Sequence, residues 1–159
     1  MEKPGDHRTP YYSHTQIGYW LRFGMWLGAL VYPAILLIKP ETETEIQLVT
    51  YLIGGFTGLF LFVGGWIFGS LTVNVTANQV QWHFGPGFWK KSIARDQITS
   101  TTAIRTKWWY GFGIRLSPHG WLYNVQGLDA VLITEISGKT TLIGTDEPVV
   151  LVQALHENN

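Results

Sequence analysis

Residues 17–38 read IGYWLRFGMWLGALVYPAILLI, and this stretch decides the fold. A helix of that length rises far enough to cross a hydrocarbon layer of about 30 Å. Arg22 is its only charge and lies near its start, where a guanidinium can snorkel to the headgroups. Tyr19 and Trp20 beside it suit the aromatic belt of a membrane interface. Pro33 falls near the far end, where a neighbouring helix and polar groups can satisfy a freed carbonyl. The helix is expected to end by Lys39 and Pro40.

A second apolar run follows at residues 46–71, includes GGFTGLFLFVGGWIFGSL, and carries no charge. It is long enough to span with tilt. Between the two lies KPETETE, too short and polar for anything but a tight connection, so the helices should be antiparallel neighbours. A secretory signal would be shorter, would end at a small-residue cleavage site, and would not precede a second span.

Glycine spacing suggests how such a hairpin packs. Gly24 and Gly28 are four apart in the first run, and Gly54 and Gly58 are four apart in the second. Small residues let backbones approach closely, which drives helix association in lipid. These four are expected to face one another, with Gly65 and Gly69 left for a second copy of the chain. The plain alternative is composition, because glycine is common in transmembrane helices.

The chain has 159 residues, so two spans leave room for one small soluble domain. Its mean hydropathy of only +0.09 averages a strongly apolar half with an ordinary one. Lysine plus arginine number 11, and so do aspartate plus glutamate. With no net basic field, nucleic acid is not an expected partner. Cysteine is absent, which excludes disulfides, thiolate metal sites and a cysteine nucleophile. For orientation, Lys3, Arg8 and Arg22 flank the outer end of the first run, Lys90 and Lys91 follow the second, and the connection offers Lys39 alone. The positive-inside bias then places both termini in the cytoplasm.

After Leu71 the hydrophobic period becomes two. Val73 and Val75, then Val80, Trp82 and Phe84, alternate with polar neighbours, as half-buried strands do. Ala77 and Asn78 form the turn between them, and Gly85, Pro86 and Gly87 break the second strand before a third at 88–93. Further strands are expected at 99–106, 112–116, 129–136 and 140–143, with a hairpin turn at Gly138. Residues 121–125 read as a short strand or a loop. At 148–156, Leu151, Val152 and Leu155 repeat at helical spacing. Thr145, Asp146 and Glu147 offer capping oxygens and negative charge before it, with Pro148 in the first turn. About seven antiparallel strands and one helix suggest a small, partly open barrel stoppered at one end.

The segments LTVNVTANQVQWHFGPGFWKKSIARDQI, GIRLSPHGWLYNVQGLDAVLI and SGKTTLIGTDEP resemble the bacterial pleckstrin-homology-like domains of small membrane proteins with two N-terminal spans. The likeness covers nearly the whole chain and is sharpest from Gly113 to Pro148. It implies an α+β membrane protein: a cytoplasmic tail at 1–16, a transmembrane hairpin at 17–71 and a pleckstrin-homology-like β domain at 72–159. It also implies a bacterial source, hence the inner membrane. It implies little about task, since one fold serves unrelated functions.

The most unusual stretch, WWYGFGIRLSPHGWLYNVQG, packs aromatics among cations. Such mixtures suit an interfacial surface, where rings sit among headgroups and bases meet phosphates. The candidate membrane or partner surface is therefore Lys90, Lys91, Arg105, Lys107, Trp108, Trp109 and Tyr110. The alternative is that these rings fill the barrel core. Lys90 and Lys91 without an arginine cluster argue against phosphoinositide recognition. The five histidines show no metal-ligand spacing, and Ser117, His119 and Asp129 form a triad by residue type only. No cofactor, metal or catalytic residue is expected, and the spans lack the ionisable residues of a transport path. Two roles remain: a membrane-anchored scaffold for another membrane protein or itself, which the thin basic patch favours, and as the alternative a module that binds lipid headgroups.

Overall fold

The computed structural model describes residues 10–38 and 44–157. The expectations that rest on Lys3, Arg8, Lys39 and Pro40 lie outside them. Chain order begins with β1 (Tyr12–Ile17), α1 (Tyr19–Ile38), α2 (Thr44–Ile67), β2 (Ser70–Val75), β3 (Gln79–Phe84) and β4 (Phe88–Ala94). It continues with β5 (Ile98–Arg105), β6 (Gly113–Ser117), β7 (Gly120–Asn124), β8 (Asp129–Glu135), β9 (Thr140–Gly144) and α3 (Pro148–His156). The fold class is α+β, with two long apolar helices, two sheets and a C-terminal helix.

Both long helices meet the length and composition needed to cross a membrane. Their 20 and 24 residues rise about 30 and 36 Å. No α1 side chain is buried, and Trp20, Leu30 and Phe56 are among many large apolar groups left exposed. A core helix of a soluble protein would have those groups covered. The helices pack antiparallel, with several α2 glycines in close contact with α1. A Cβ at Gly58 would meet the Ala29 carbonyl and Pro33, one at Gly54 would meet Leu36, and one at Gly65 would meet Trp26. Gly28 faces Leu61, and Gly24 has open space around it. The expected glycine-to-glycine contact is therefore corrected: the helix register sets Gly54 and Gly58 nearer the connection than Gly24 and Gly28. Gly65 and Gly69 are likewise occupied within the chain, by Trp26 and Arg22.

Among the described residues nine strands, not seven, form the β domain. One sheet has the order β1-β2-β3-β4 and the other β5-β8-β9-β7-β6. Every pair is antiparallel except β7 with β9. The expected tail at 1–16 contributes β1, which pairs with β2 from Tyr12 opposite Val75 to Ile17 opposite Ser70. The second helix ends at Ile67, and Leu71 already belongs to β2. The core lies between the sheets and includes Leu71, Val80, Trp82, Phe84, Val131 and Ile143. Burial of such side chains contributes roughly 1.5–3 kcal/mol each.

The third helix spans the residues expected of it and buries Leu151, Ala154 and Leu155. Its start differs in detail. Glu147 is the N-cap without a side-chain cap bond, while its N–H donates to the Thr145 hydroxyl at 3.1 Å. The Asp146 and Glu147 carboxylates hold His14 of β1 instead, at 2.5 Å to Nε2 and 3.4 Å to Nδ1. At the other end, buried Arg95 donates to the carbonyls of Ala154 and Leu155. Helix α3 thereby ties β1 to the connection between the sheets.

Candidate functional site

Where the helices meet the sheets, small residues allow close approach. The Gly18 N–H donates to the Gly69 carbonyl at 2.9 Å, so the β1–β2 ladder runs directly into the helix pair. A Cβ on Gly18 would stand 2.8 Å from the Val125 carbonyl. Next to it, Gln126 accepts the Tyr19 N–H through Oε1 at 2.9 Å, satisfying one of the free donors at the α1 N-terminus. The Gln16 amide donates to the Gln126 carbonyl. On the α2 side, Gly85 adopts φ +49° and lies so close to Ile67 that a Cβ would stand 2.6 Å from its carbonyl. The β domain is thus braced against both helices.

The braced end of the domain is rich in exposed rings. Trp89 follows the β3–β4 turn with φ +47° and packs on Phe68 with centroids 5.7 Å apart. Phe112 lines a cleft with Leu21 and Met25 from the start of α1. Just before Phe112, the short 3-10 turn Trp108–Tyr110 leaves Trp108 74 % and Trp109 60 % exposed. These rings therefore do not fill the core. They stand edge to face in sequence, and Lys107 Nζ lies 5.0 Å from the Trp109 centroid. Of the expected surface, Lys107, Trp108, Trp109 and Tyr110 come together here, with exposed Arg105 at the end of β5 opposite Asp129. Lys90 and Lys91 sit on exposed β4, in the other sheet. Arg22 lies over Trp26 at 5.5 Å and reaches Gly69 at the junction.

Two clefts open beside this surface. One lies where edge strands β4 and β6 leave the sheets unjoined, has a volume of about 330 Å³, and has Trp82, Trp121, Tyr123, Lys91 and Lys139 in its wall. Burial raises the Tyr123 phenol above its ordinary range, so it stays neutral and able to donate. The other, of about 450 Å³, is apolar and lies against α1. Sequence reasoning missed both, because their walls come from β3, β4, β6, β7, β9, the β8–β9 turn and α1, and no local spacing brings these together.

The triad of residue types is accounted for otherwise. The Ser117 hydroxyl donates to the Gly120 carbonyl at 2.7 Å and accepts the His119 N–H, which makes it a turn residue. Among the described residues, no three His, Asp or Glu side chains gather as a metal site. His14 was the titratable residue missed, held between Asp146 and Glu147; only its place on a strand could have revealed it. Near the same pair, the Tyr12 phenol is pushed up to about 12, by burial first and by Glu147 and Asp146 after it. Comparison with protein-family models, curated proteins and solved structures returned no match. The likeness to bacterial pleckstrin-homology-like domains thus rests on the sequence segments alone.

Proposed function

We propose that this chain is a non-catalytic binding module fixed to a membrane, in which α1 and α2 cross the bilayer as a hairpin and hold a pleckstrin-homology-like domain against one face. The observation that carries this reading is the junction: two exposed apolar helices continue the β1–β2 ladder without a linker. A domain held in that way meets the headgroup layer with whatever its braced end displays. That end displays Trp89, Trp108, Trp109 and Phe112, with Lys107 among them, a composition suited to an interface. With Arg22, Lys90 and Lys91 on the same side, the positive-inside bias favours the cytoplasmic face of a bacterial inner membrane and cytoplasmic termini.

The ligand is then a lipid headgroup or a protein at the membrane surface. The exposed rings favour the lipid. A scaffold for another membrane protein or a second copy is the second reading, supported by Leu116, Ile136 and Val149, which stand well exposed on the β domain. Reconstitution of the whole chain in vesicles with brominated lipid tests the first. Changing Trp108 and Trp109 to alanine is expected to reduce the share of tryptophan fluorescence that the lipid quenches; an unchanged share contradicts an interfacial role. Purification in mild detergent after crosslinking in native membranes tests the second, which requires a stoichiometric protein partner.

A further inference from the structure

The two clefts adjoin, because Trp89 and Ile114 line both. Together they change character along their length. The end against the helices is walled by Leu21, Met25, Phe68 and Phe112 and offers no charge. The end between the sheets carries two ammonium groups, Lys91 and Lys139, set among Trp82, Trp121 and Tyr123. Trp82 in that wall is 2 % exposed, and its indole N–H has no hydrogen-bond partner. A buried donor left in that state is costly, and a ligand oxygen would relieve it. Among the described residues Lys91 makes no ion pair, and Lys139 has only Glu135, at 3.8 Å. The volumes of the two parts fall in the range of small-molecule sites.

A groove that is cationic at one end and apolar at the other, with the apolar end beside α1, matches an amphiphile whose charge is negative. We propose that the adjoining clefts hold one anionic phospholipid, its phosphate between Lys91 and Lys139 with the Trp82 N–H donating to it, and one acyl chain against Leu21, Met25 and Phe112. A free phosphate would leave the apolar part empty, and a zwitterionic lipid would set its own cation beside the two lysines. The assignment rests on the helices lying in a bilayer, which brings the acyl region level with Leu21 and Met25.

The test uses the full chain in mild detergent, incubated with phosphatidylglycerol or phosphatidylcholine and examined by native mass spectrometry. One phosphatidylglycerol per chain is expected to survive, with little phosphatidylcholine. Lys91→Ala and Lys139→Ala are exposed changes that leave the fold intact; together they should weaken retention about twenty-five-fold, roughly fivefold for each lysine. Trp82→Phe keeps a ring but removes the donor, and it should also weaken retention while thermal denaturation confirms the fold. Inorganic phosphate should not displace the lipid. Equal retention of the two lipids, undiminished retention in the double lysine variant, or displacement by phosphate would overturn the assignment. If the chain stays in membranes through alkaline carbonate washing and yet shows any of these results, only the lipid site falls. Release by that wash removes the anchoring reading and the site with it.

Discussion

Arg95 shows how one residue can hold a small domain together. It is 6 % exposed, yet it is a cation, which burial alone would disfavour and which lowers its pKa. The compensation is its setting. Its guanidinium lies 2.6 Å from the Leu155 carbonyl and 3.4 Å from that of Ala154, at the negative end of α3. The Tyr11 ring lies 5.7 Å from it, and the Tyr11 hydroxyl donates to the same Ala154 carbonyl. Replacing Arg95 by methionine keeps the apolar stem and strips the donors, so it should cost about 2 kcal/mol of unfolding free energy. Chemical denaturation of the chain in micelles measures this. A change within about 0.5 kcal/mol, the size of an ordinary surface substitution, would contradict the role.

Among the elements, the helix pair makes the sharpest prediction. Gly65 has the Trp26 ring over it, so that a Cβ would stand 2.8 Å from Nε1, while the same indole donates to the Phe62 carbonyl. Leucine at 65 must push the helices apart and should cost roughly 1–3 kcal/mol. Leucine at 24, where nothing lies within 4 Å, should be tolerated. The temperature at which each variant aggregates in detergent compares them, and equal behaviour would mean the packing is wrong.

The sequence's own hydropathy explains which elements could be read from it. The long helices announce themselves by the unbroken length of their apolar runs, and β2, β3 and α3 because their buried side chains are apolar and evenly spaced. Strand β1 does not: its inward positions are Tyr12, His14 and Gln16, which alternate with Ser13 and Thr15 and carry no hydrophobic period. Besides its backbone ladder with β2, what holds it is polar pairing with Asp146, Glu147 and the Gln126 carbonyl, across more than a hundred residues. Strand β7 is ambiguous for the opposite reason. It lies inside its sheet beside parallel β9, and Leu122, Tyr123 and Asn124 are buried in succession. At the candidate site, the exposed rings could be found as a composition, but the cleft between β4 and β6 depends on strand order, which no local pattern encodes.

For the whole molecule, the pairing of β1 with β2 has a topological consequence. Strand β1 precedes the helices and β2 follows them, and backbone pairing of the two requires both to lie in the same compartment. If α1 and α2 cross a bilayer, both ends of the hairpin therefore emerge on one face, whatever the balance of basic residues. The Gly18–Gly69 bond and the Gln126 contact keep the domain from swinging free of that face.

The most direct measurement uses the natural absence of cysteine. Single cysteines at Ser13, Thr42 and Ser137 are labelled with a membrane-impermeant maleimide in sealed vesicles of known orientation. The account predicts that Ser13→Cys and Ser137→Cys react from one side, the cytoplasmic one, and Thr42→Cys only from the other. Labelling of all three from the same side would contradict it.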